Sequence, residues 1–545
     1  MAFILIAFSS IIPAHAKPIA IEFENYLKNS ALQPKTGNTP TIYTEALREF
    51  YKERDYIPLW IEGSEIKRDE IQDIQNLLKS HAHQNGLAPD DYNFKLYKSE
   101  NMHPNVHTLL HREWQITNTV MHYLHDIQSG RIKPHSFDPQ IFLRPQQYDV
   151  VTALDKFMAS TNKDAFLTDF RPSHPEYNVL VKELANYREK AASENARPIV
   201  LQDKSYISPG EKHPAMPNIK KKLQNFFDQA SFRAAEQRQN NLSSLIYDEA
   251  TAEQVKEFQK SHGLQIDGII GPQTVSMLNM SNAQKVDKIK LALERWRWLP
   301  ESLGEKHVRI NIAAYYVRAV ENGRDAFVMP VIVGEVAHQT PVFSSVIENV
   351  KMHPDWTVPD SIAERYLIDK IQNNPSVIDT LGYQVQNKHT GDIIPWSNID
   401  IRNLHTIDLS TYQFRQKPGK RNALGLARFS IANDYSIFMH GTPAQNLFQE
   451  ERRTFSSGCI RVQDAFKMAH FLLKDQGYTM KDIQREFGLK DGEFAQTNYI
   501  DLKRDIPVYL TYATAWVDSS GKLHFAPDVY GRDQKLMATL KEDSA

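Results

Sequence analysis

The sequence predicts an α+β protein of several domains, mostly helical in its N-terminal part and rich in β-strands toward its C-terminus. Three observations lead to this prediction. The chain has 545 residues, which is more than one hydrophobic core accommodates. Apolar residues recur at three- and four-residue steps through about residues 42–195, as they do in amphipathic helices. From about His307 onward, short runs of β-branched and aromatic residues replace that pattern.

The N-terminal helices are indicated by their apolar faces and by the residues that end them. Ile71, Ile74 and Leu78 share one helical face, and Gly86 interrupts the run. We therefore expect a helical scaffold domain over residues 17–200.

Residues 218–282 are expected to form a separate compact unit. A helix carrying Val255 and Phe258 is followed by Asp267-Gly268, which supplies a turn with positive φ. Gly271-Pro272 then begins the next helix, with Pro near the first helical position. Periodicity alone is equally consistent with a generic helix–turn–helix linker.

Strand patterns dominate residues 300–490, with a helix-and-loop insertion over residues 360–420. Two strands joined by Asn433-Asp434 predict a tight hairpin whose second strand ends at His440. Residues 491–545 are expected to form a C-terminal extension that packs on the helical or the β-rich domain.

The first sixteen residues have the form of a secretory signal peptide. An apolar run ends in Ala14-His15-Ala16, which suits cleavage before Lys17, although no basic residue precedes the run. The run is shorter than the roughly 20 apolar residues that cross a bilayer. We therefore expect export; the alternative is a hydrophobic N-terminus without that role.

Charge and histidine spacing argue against nucleic-acid binding and against a metal site. The formal net charge is −2, without the basic excess that a nucleic-acid partner requires. No carboxylate completes a ligand set around the clustered histidines, so we expect no metal and no cofactor. These histidines are His81, His83, His103, His107 and His111.

The chain has a single cysteine, Cys459, which in an exported protein is either buried and inert or kept for its reactivity. Its neighbours favour reactivity. Gly458 permits a tight turn whose N–H groups could hold an oxyanion, and His440 could take the thiol proton. Arg461 could stabilise a thiolate or bind a substrate carboxylate, or form a structural ion pair.

Two motifs resemble known families. The pattern D-G-x-x-G-P-x-T over residues 267–274 resembles the three-helix peptidoglycan-binding module. His440 and the run ending in Cys459 are similar to H-x(14–17)-[ST]-H-G-C, the mark of YkuD-type L,D-transpeptidases, except that Ser457 replaces the second His.

A further resemblance is to the large periplasmic subgroup typified by YcbB, and it extends over about residues 40–535. The segments that carry it are residues 295–300, 355–359, 415–419 and 422–425, with Trp60, Gly86-Leu87, Tyr92 and Gly130-Arg131 among the helices.

The resemblance implies a periplasmic enzyme that forms 3→3 cross-links in peptidoglycan and is acylated by carbapenems. Cys459 would attack a tetrapeptide stem, releasing D-Ala, and a diaminopimelate amine would accept the acyl group. His440 would be general acid and base, oriented by the Gly441 carbonyl, with the Gly458 and Cys459 N–H groups as oxyanion hole. Ser457 is counted with Gly441 and Gly458 among the supporting and oxyanion residues, but no role of the family's second His carries over to it.

The insertion resembles a lid over the donor site. Its aromatic residues Trp396 and Tyr412 are candidates for stacking on substrate, with ordinary packing as the alternative. The acceptor is either a second stem or a lysine of an envelope lipoprotein, and contacts with other wall enzymes are open.

Two other functions remain open. A wall hydrolase, such as an L,D-carboxypeptidase or an endopeptidase, would pass the same thioester to water. Papain-like wall peptidases place Cys before His in the chain, whereas here His440 precedes Cys459. A non-catalytic wall-binding scaffold would keep the motif as a relic.

Overall fold

The computed structural model describes residues 16–29, 44–94, 105–194, 197–202, 204–227, 243–488 and 496–544. The predicted signal peptide lies outside the described residues except for Ala16, and so does His103. In the part of the chain that is described, the helices are too short or too polar to span a bilayer.

The N-terminal region is helical, as predicted, and side chains specify where its helices begin. Asn105 accepts a hydrogen bond from the Thr108 N–H at the start of the longest helix, and Gly130 ends that helix at a φ of 81°. The helices pack around buried Trp60 and Trp114. They span Ala16–Lys28, Thr44–Lys52, Arg68–Gln84, Val106–Ser129, Pro134–Phe137, Val150–Ala159, Lys163–Phe170 and Pro175–Ala192. A short hairpin of β1 (Ile61–Glu62) and β2 (Glu65–Ile66) accompanies them.

The compact unit expected over residues 218–282 contains helices Met216–Phe226, Glu249–Ser261 and Pro272–Asn279. Its Asp-Gly turn is fixed at Gly268, which has a φ of 71°. The Gly268 N–H donates to Gln259 Oε1 at 2.9 Å, and its carbonyl accepts from Tyr247 Oη at 2.6 Å. The motif therefore builds a turn tied to the preceding helix.

Helix Asn282–Arg297 joins this unit to the β-rich domain. Ser281 and Gln284 form a reciprocal capping box at its start. Its C-terminal residues 294–297 are buried, since the helix packs on helix Pro175–Ala192 and on the last part of the chain.

The β-rich domain is built on a nine-stranded sheet. Its strands are β3 (Lys306–Asn311), β4 (Tyr316–Glu321), β5 (Arg324–Gly334), β6 (Phe343–Met352), β11 (Ala427–Ile431), β12 (Met439–His440), β13 (Thr454–Ser456), β14 (Ile460–Val462) and β15 (Asn498–Thr511). The strands of the insertion are β7 (Trp356–Thr357), β8 (Tyr383–Asn387), β9 (Ile393–Ile394) and β10 (Tyr412–Gln416). A separate pair near the C-terminus consists of β16 (Ala515–Val517) and β17 (Leu523–Phe525). The sheet order is β13-β5-β14-β12-β11-β6-β15-β3-β4. Because β4 also pairs with β5, the sheet closes into a barrel with β13 at its edge.

The predicted hairpin is present, but its connection is longer than two residues. Arg428 pairs with His440 and Phe429 with Met439, so residues 432–438 form the loop. The Asn433 side chain forms hydrogen bonds with the backbone groups of this loop. Its Oδ1 accepts from two backbone N–H groups, and its Nδ2 donates to two carbonyls. A local side-chain network thus replaces the tight turn.

The insertion folds as a subdomain with a core of its own. Strands β7, β10, β8 and β9 form a four-stranded sheet, in that order. Short helices cover it, at Asp360–Ile362, Ile368–Asn373 and Val377–Leu381, with a wider π-helical turn at Ala363–Leu367. Val385 and Phe414 lie at the centre of its apolar cluster.

The C-terminal residues do more than pack against a domain surface. Strand β15 lies inside the barrel sheet, parallel to β3 and antiparallel to β6. Val508 and Leu510 on this strand are fully buried, which explains the interior position. Helices Ala465–Leu473 and Met480–Glu486 precede this strand, and helix Arg532–Ser544 ends the described chain.

Candidate active site

Cys459 lies on a tight turn between β13 and β14. Ser456 holds the turn, because its Oγ accepts from the Gly458 N–H at 3.1 Å and donates to the Cys459 carbonyl at 2.6 Å. Gly458 has a φ of 115°, a conformation that favours glycine. The Gly458 N–H, one of the two predicted oxyanion donors, is thus bound to Ser456, whereas Ser457 is exposed.

Thr340 fixes this turn from outside, and sequence reasoning missed it. Its Oγ1 donates to the Gly458 carbonyl at 2.7 Å and accepts from the Gly334 N–H at 2.8 Å. Thr340 is fully buried in the loop between β5 and β6. A single threonine in a loop carries no sequence signal for such a role.

His440 is held in one tautomer at the end of β12. Its Nδ1 lies 2.6 Å from the Gly441 carbonyl, and since a carbonyl only accepts, Nδ1 carries the proton. In the neutral ring, Nε2 therefore has a free lone pair. This is the arrangement that was predicted for Gly441.

Gly425 permits the close backbone packing that positions this carbonyl. Its φ is 65°, and a Cβ placed there would lie 2.6 Å from both Gly441 C and Thr442 N. Only glycine fits this contact without moving the backbone that binds His440.

Two arginines flank His440 on one face of the sheet. Arg428 is its register partner on β11, and Arg461 is its partner on β14, so the three side chains form a row. Among the described residues, neither guanidinium has a carboxylate oxygen within 4.0 Å. Their buried Nε atoms likewise lack a hydrogen-bond partner there. Arg461 was predicted from its place near the thiol; Arg428 was not, because it becomes a neighbour only through strand pairing.

Burial keeps both reactive groups neutral. The pKa of His440 is lowered to about 3, chiefly by burial; Arg461 and Arg428 contribute to the decrease, and hydrogen bonds to the Gly441 and Leu424 carbonyls oppose it. Burial also raises the pKa of the Cys459 thiol to about 11, against the effects of the Phe438 backbone and of the two arginines. Near neutral pH the resting pair is therefore a thiol and an uncharged imidazole.

The aromatic candidates of the insertion pack within it. Trp396 Nε1 donates to the Tyr383 carbonyl at 2.9 Å, and its ring faces Phe414 at 6.3 Å between centroids. Tyr412 is half-buried against the same apolar cluster. These contacts correspond to ordinary packing, the alternative to stacking on substrate. Neither Trp396 nor Tyr412 contacts the thiol of Cys459 in the structure.

The clustered histidines serve structural contacts. His81 Nε2 lies 2.9 Å from Asp164 Oδ1, and His111 Nδ1 lies 3.0 Å from Tyr26 Oη. Within the described ranges, no group of three or more His, Cys, Asp or Glu residues is arranged to hold a metal ion.

Family models match three parts of the chain. An L,D-transpeptidase catalytic domain of the YkuD family matches residues 305–482, which contain the thiol turn and His440. This chain carries an L,D-transpeptidase catalytic domain. A putative peptidoglycan-binding domain matches residues 213–278, and a scaffold domain matches residues 45–184. The fold class expected from sequence, with a helical N-terminal region, a peptidoglycan-binding domain and a β-rich catalytic domain, is thereby confirmed.

A curated relative agrees with this L,D-transpeptidase assignment. The chain is similar to a putative L,D-transpeptidase of Haemophilus influenzae, with 26% identity over 324 residues. The match covers 58% of this chain and 63% of the relative.

Solved structures of L,D-transpeptidases are more distant. One, from Xylanimonas cellulosilytica, is 14% identical, with a TM-score of 0.19 and coverage of 56% of this chain and 98% of that one. The Ldtfm–avibactam carbamoyl enzyme is 9% identical, with a TM-score of 0.18 and coverage of 43% and 64%.

Proposed function

We propose that this L,D-transpeptidase forms 3→3 cross-links in peptidoglycan through a thioester on Cys459. The proposal is carried by one observation: the single cysteine lies on a fixed turn in the β-rich domain, and His440 there has its Nδ1 2.6 Å from the Gly441 carbonyl, which makes Nε2 the basic nitrogen of the neutral ring. A catalytic domain of the L,D-transpeptidase family supports a wall peptide as the acyl donor.

In the first half-reaction, the thiol proton moves to His440 Nε2 as the sulfur attacks the carbonyl between diaminopimelate and the terminal D-Ala. The imidazolium then protonates the departing amine, the C–N bond breaks, and D-Ala leaves a thioester on Cys459. Because both groups are neutral at rest, the proton transfer accompanies the attack.

In the second half-reaction, an amine of another stem attacks the thioester carbonyl and loses its proton to His440. The carbon–sulfur bond breaks, and the thiolate recovers the proton from the imidazolium. The products are the cross-linked stems and the starting enzyme, so atoms and charge balance.

The oxyanion requires hydrogen-bond donors near the thiol turn. We assign the Cys459 N–H to this role. The Gly458 N–H joins it only if its bond to Ser456 Oγ, 3.1 Å long in the resting state, is released. Arg428 and Arg461 add positive charge nearby and suit the carboxylates of the donor stem.

Cell-wall association follows from the family, and we propose the periplasm as the compartment. The peptidoglycan-binding domain would keep the enzyme on its polymeric substrate. The donor would be a tetrapeptide stem and the acceptor a diaminopimelate amine, and neither cofactor nor nucleic acid has a role in this scheme.

The test is incubation of the purified protein with tetrapeptide muropeptides, followed by mass spectrometry. Cross-linked dimers that have lost D-Ala support transfer, whereas tripeptide monomers alone would identify a carboxypeptidase. Unchanged substrate would contradict both activities.

Acylation by a carbapenem tests the nucleophile separately. We expect the wild type to gain the mass of the drug and Cys459→Ala to gain none. An equal adduct on the variant would rule out Cys459.

A further inference from the structure

Arg532, at the start of the C-terminal helix, is fully buried, although a guanidinium is always charged. It faces two different parts of the chain. Its Nε lies 3.2 Å from Asp138 Oδ2 of the scaffold region, and its Nη2 donates to the Thr340 carbonyl at 3.3 Å and to Gln339 Oε1 at 3.1 Å. Because an apolar side chain would fill the same space without removing a charge from water, the guanidinium indicates a need for directed bonds.

Thr340 receives one of these bonds, and each of its polar groups has a partner. Its N–H donates to Tyr530 Oη at 3.4 Å, and its carbonyl accepts from Arg532. Its Oγ1 accepts from the Gly334 N–H and donates to the Gly458 carbonyl. The C-terminal segment thus fixes the main chain of Thr340, and the side chain of Thr340 holds the thiol turn.

The bond to the Gly458 carbonyl sets the direction of the Cys459 N–H. The carbonyl and the N–H belong to one peptide group, which is planar and trans, so they point in opposite directions. A Thr340 hydroxyl on the carbonyl side therefore fixes the direction of the N–H on the other side. The Cys459 N–H is the donor assigned above to the oxyanion.

We propose that Arg532 is a positioning residue for acyl transfer, which through Thr340 fixes the Cys459 N–H in the direction that the oxyanion requires. The oxyanion develops in the transition state and is absent from the bound substrate. The effect therefore falls on the rate of acylation and not on the affinity for the acyl donor. The inference rests on the function proposed above, with Cys459 as the nucleophile.

The test measures carbapenem acylation of Arg532→Ala in the full-length protein, below the temperature at which the variant unfolds. Rates at increasing drug concentration separate the affinity of the first complex from the rate constant of acylation. The final yield of adduct, measured by mass spectrometry, gives the fraction of active enzyme. A role in stability alone would lower this fraction and leave the rate constant of the active enzyme unchanged.

Arg295→Ala is the matched control. Arg295 is also buried, and it donates to Asp533 of the C-terminal helix at 2.6 Å. The Tyr512 ring lies 5.3 Å from its guanidinium and 5.1 Å from that of Arg532. Among the described residues, Arg295 donates no hydrogen bond to the loop between β5 and β6. Its loss should therefore destabilise the C-terminal segment without releasing Thr340.

We expect the acylation rate constant of Arg532→Ala to fall at least about tenfold. The affinity of its first complex should stay within about twofold of the wild type, as should the rate constant of Arg295→Ala. Arg532→Lys keeps a charge beside Asp138 but presents one ammonium instead of a planar fork. It should therefore fold and still be acylated slowly, and it serves as the test if the alanine variant does not fold.

Three outcomes would overturn the proposal. A wild-type rate constant in either Arg532 variant would show that the directed bonds of the guanidinium do not act on the thiol turn. An equal loss in Arg295→Ala would assign the effect to the stability of the C-terminal segment. A weaker first complex with an unchanged rate constant would assign it to donor binding. Failure of the proposed function is distinguishable, since the wild type would then gain no drug mass.

Discussion

Burial and charge act in opposite directions on the Cys459 thiol. Removal from water disfavours the thiolate, while Arg428 and Arg461 favour it, and burial has the larger effect, so the pKa rises to about 11. The same surroundings disfavour imidazolium at His440. The thiol and the imidazole are therefore neutral in the resting enzyme and become charged only when the proton is transferred during the reaction.

We expect alkylation of Cys459 by iodoacetamide to accelerate steadily from about pH 6 to about pH 10, because the thiolate fraction grows tenfold per pH unit below the pKa. Mass spectrometry of the intact chain would follow the rate. The urea-unfolded chain is the control and should level off above about pH 8.5, the ordinary thiol value. A plateau below about pH 8 in the folded protein would instead indicate a resting thiolate–imidazolium pair.

Gly425→Ala should slow acylation by at least about tenfold, because the added Cβ displaces the Gly441 carbonyl that orients His440. Carbapenem adduct formation over time is the measurement. Gly323→Ala is the matched control: Gly323 also has a positive φ, 72°, but a Cβ there meets nothing within 4 Å. If both variants formed the carbapenem adduct equally slowly, backbone strain, and not the contact with Gly441, would be responsible.

At the scale of elements, the loop between β5 and β6 holds the turn that carries Cys459 in place. Through Thr340 it connects the end of β5 to the thiol turn, and Tyr530 Oη donates to the Gly334 carbonyl from the C-terminal segment. Three separate parts of the chain thereby fix one turn.

Thr340→Val should lower the free energy of unfolding by about 1–3 kcal/mol, because it leaves the buried Gly334 N–H and Gly458 carbonyl without their partner. Urea unfolding measures the loss, and carbapenem acylation measures the effect on the turn. Thr340→Ser retains the hydroxyl and should recover most of the stability. If the serine variant is as unstable as the valine variant, the hydrogen bonds are not the cause.

Elements with local signals could be predicted from the sequence. An Asp before an apolar helical run is a local signal for a helix start, and the Asp464 carboxylate accepts from the Lys467 N–H at 2.9 Å. Asn-Gly is a sequence typical of tight turns, and Asn322 and Gly323 both have positive φ. The helix cap and the turn each depend only on residues within a few positions of one another in the sequence.

Features that depend on distant pairing could not be predicted. The loop after β11 was expected to contain two residues, because Asn433-Asp434 suits a tight turn, but Asn433 instead organises a wider loop. Arg428 joins the site only through its register with His440. Trp396 looked like a substrate contact because sequence does not show whether an aromatic ring faces a core.

At the scale of the whole molecule, a buried ion pair joins the scaffold to helix Asn282–Arg297, which leads into the catalytic domain. Glu294 accepts from the Arg131 N–H at 2.7 Å and from the Ile132 N–H at 3.1 Å. Its partner Arg297, at 2.9 Å, donates to the Asn85 carbonyl and to Tyr177 Oη. One helix end is thus bonded to three separate scaffold segments.

Glu294→Ala should therefore cost about 3–5 kcal/mol, because it leaves the buried Arg297 charge uncompensated. Urea unfolding measures the loss, and limited proteolysis should cut near residues 131–132 more readily. Glu253→Ala is the matched control: Glu253 pairs with Lys256 at the same helical spacing, but its side chain is 63% exposed, so water screens the pair and the loss should be much smaller.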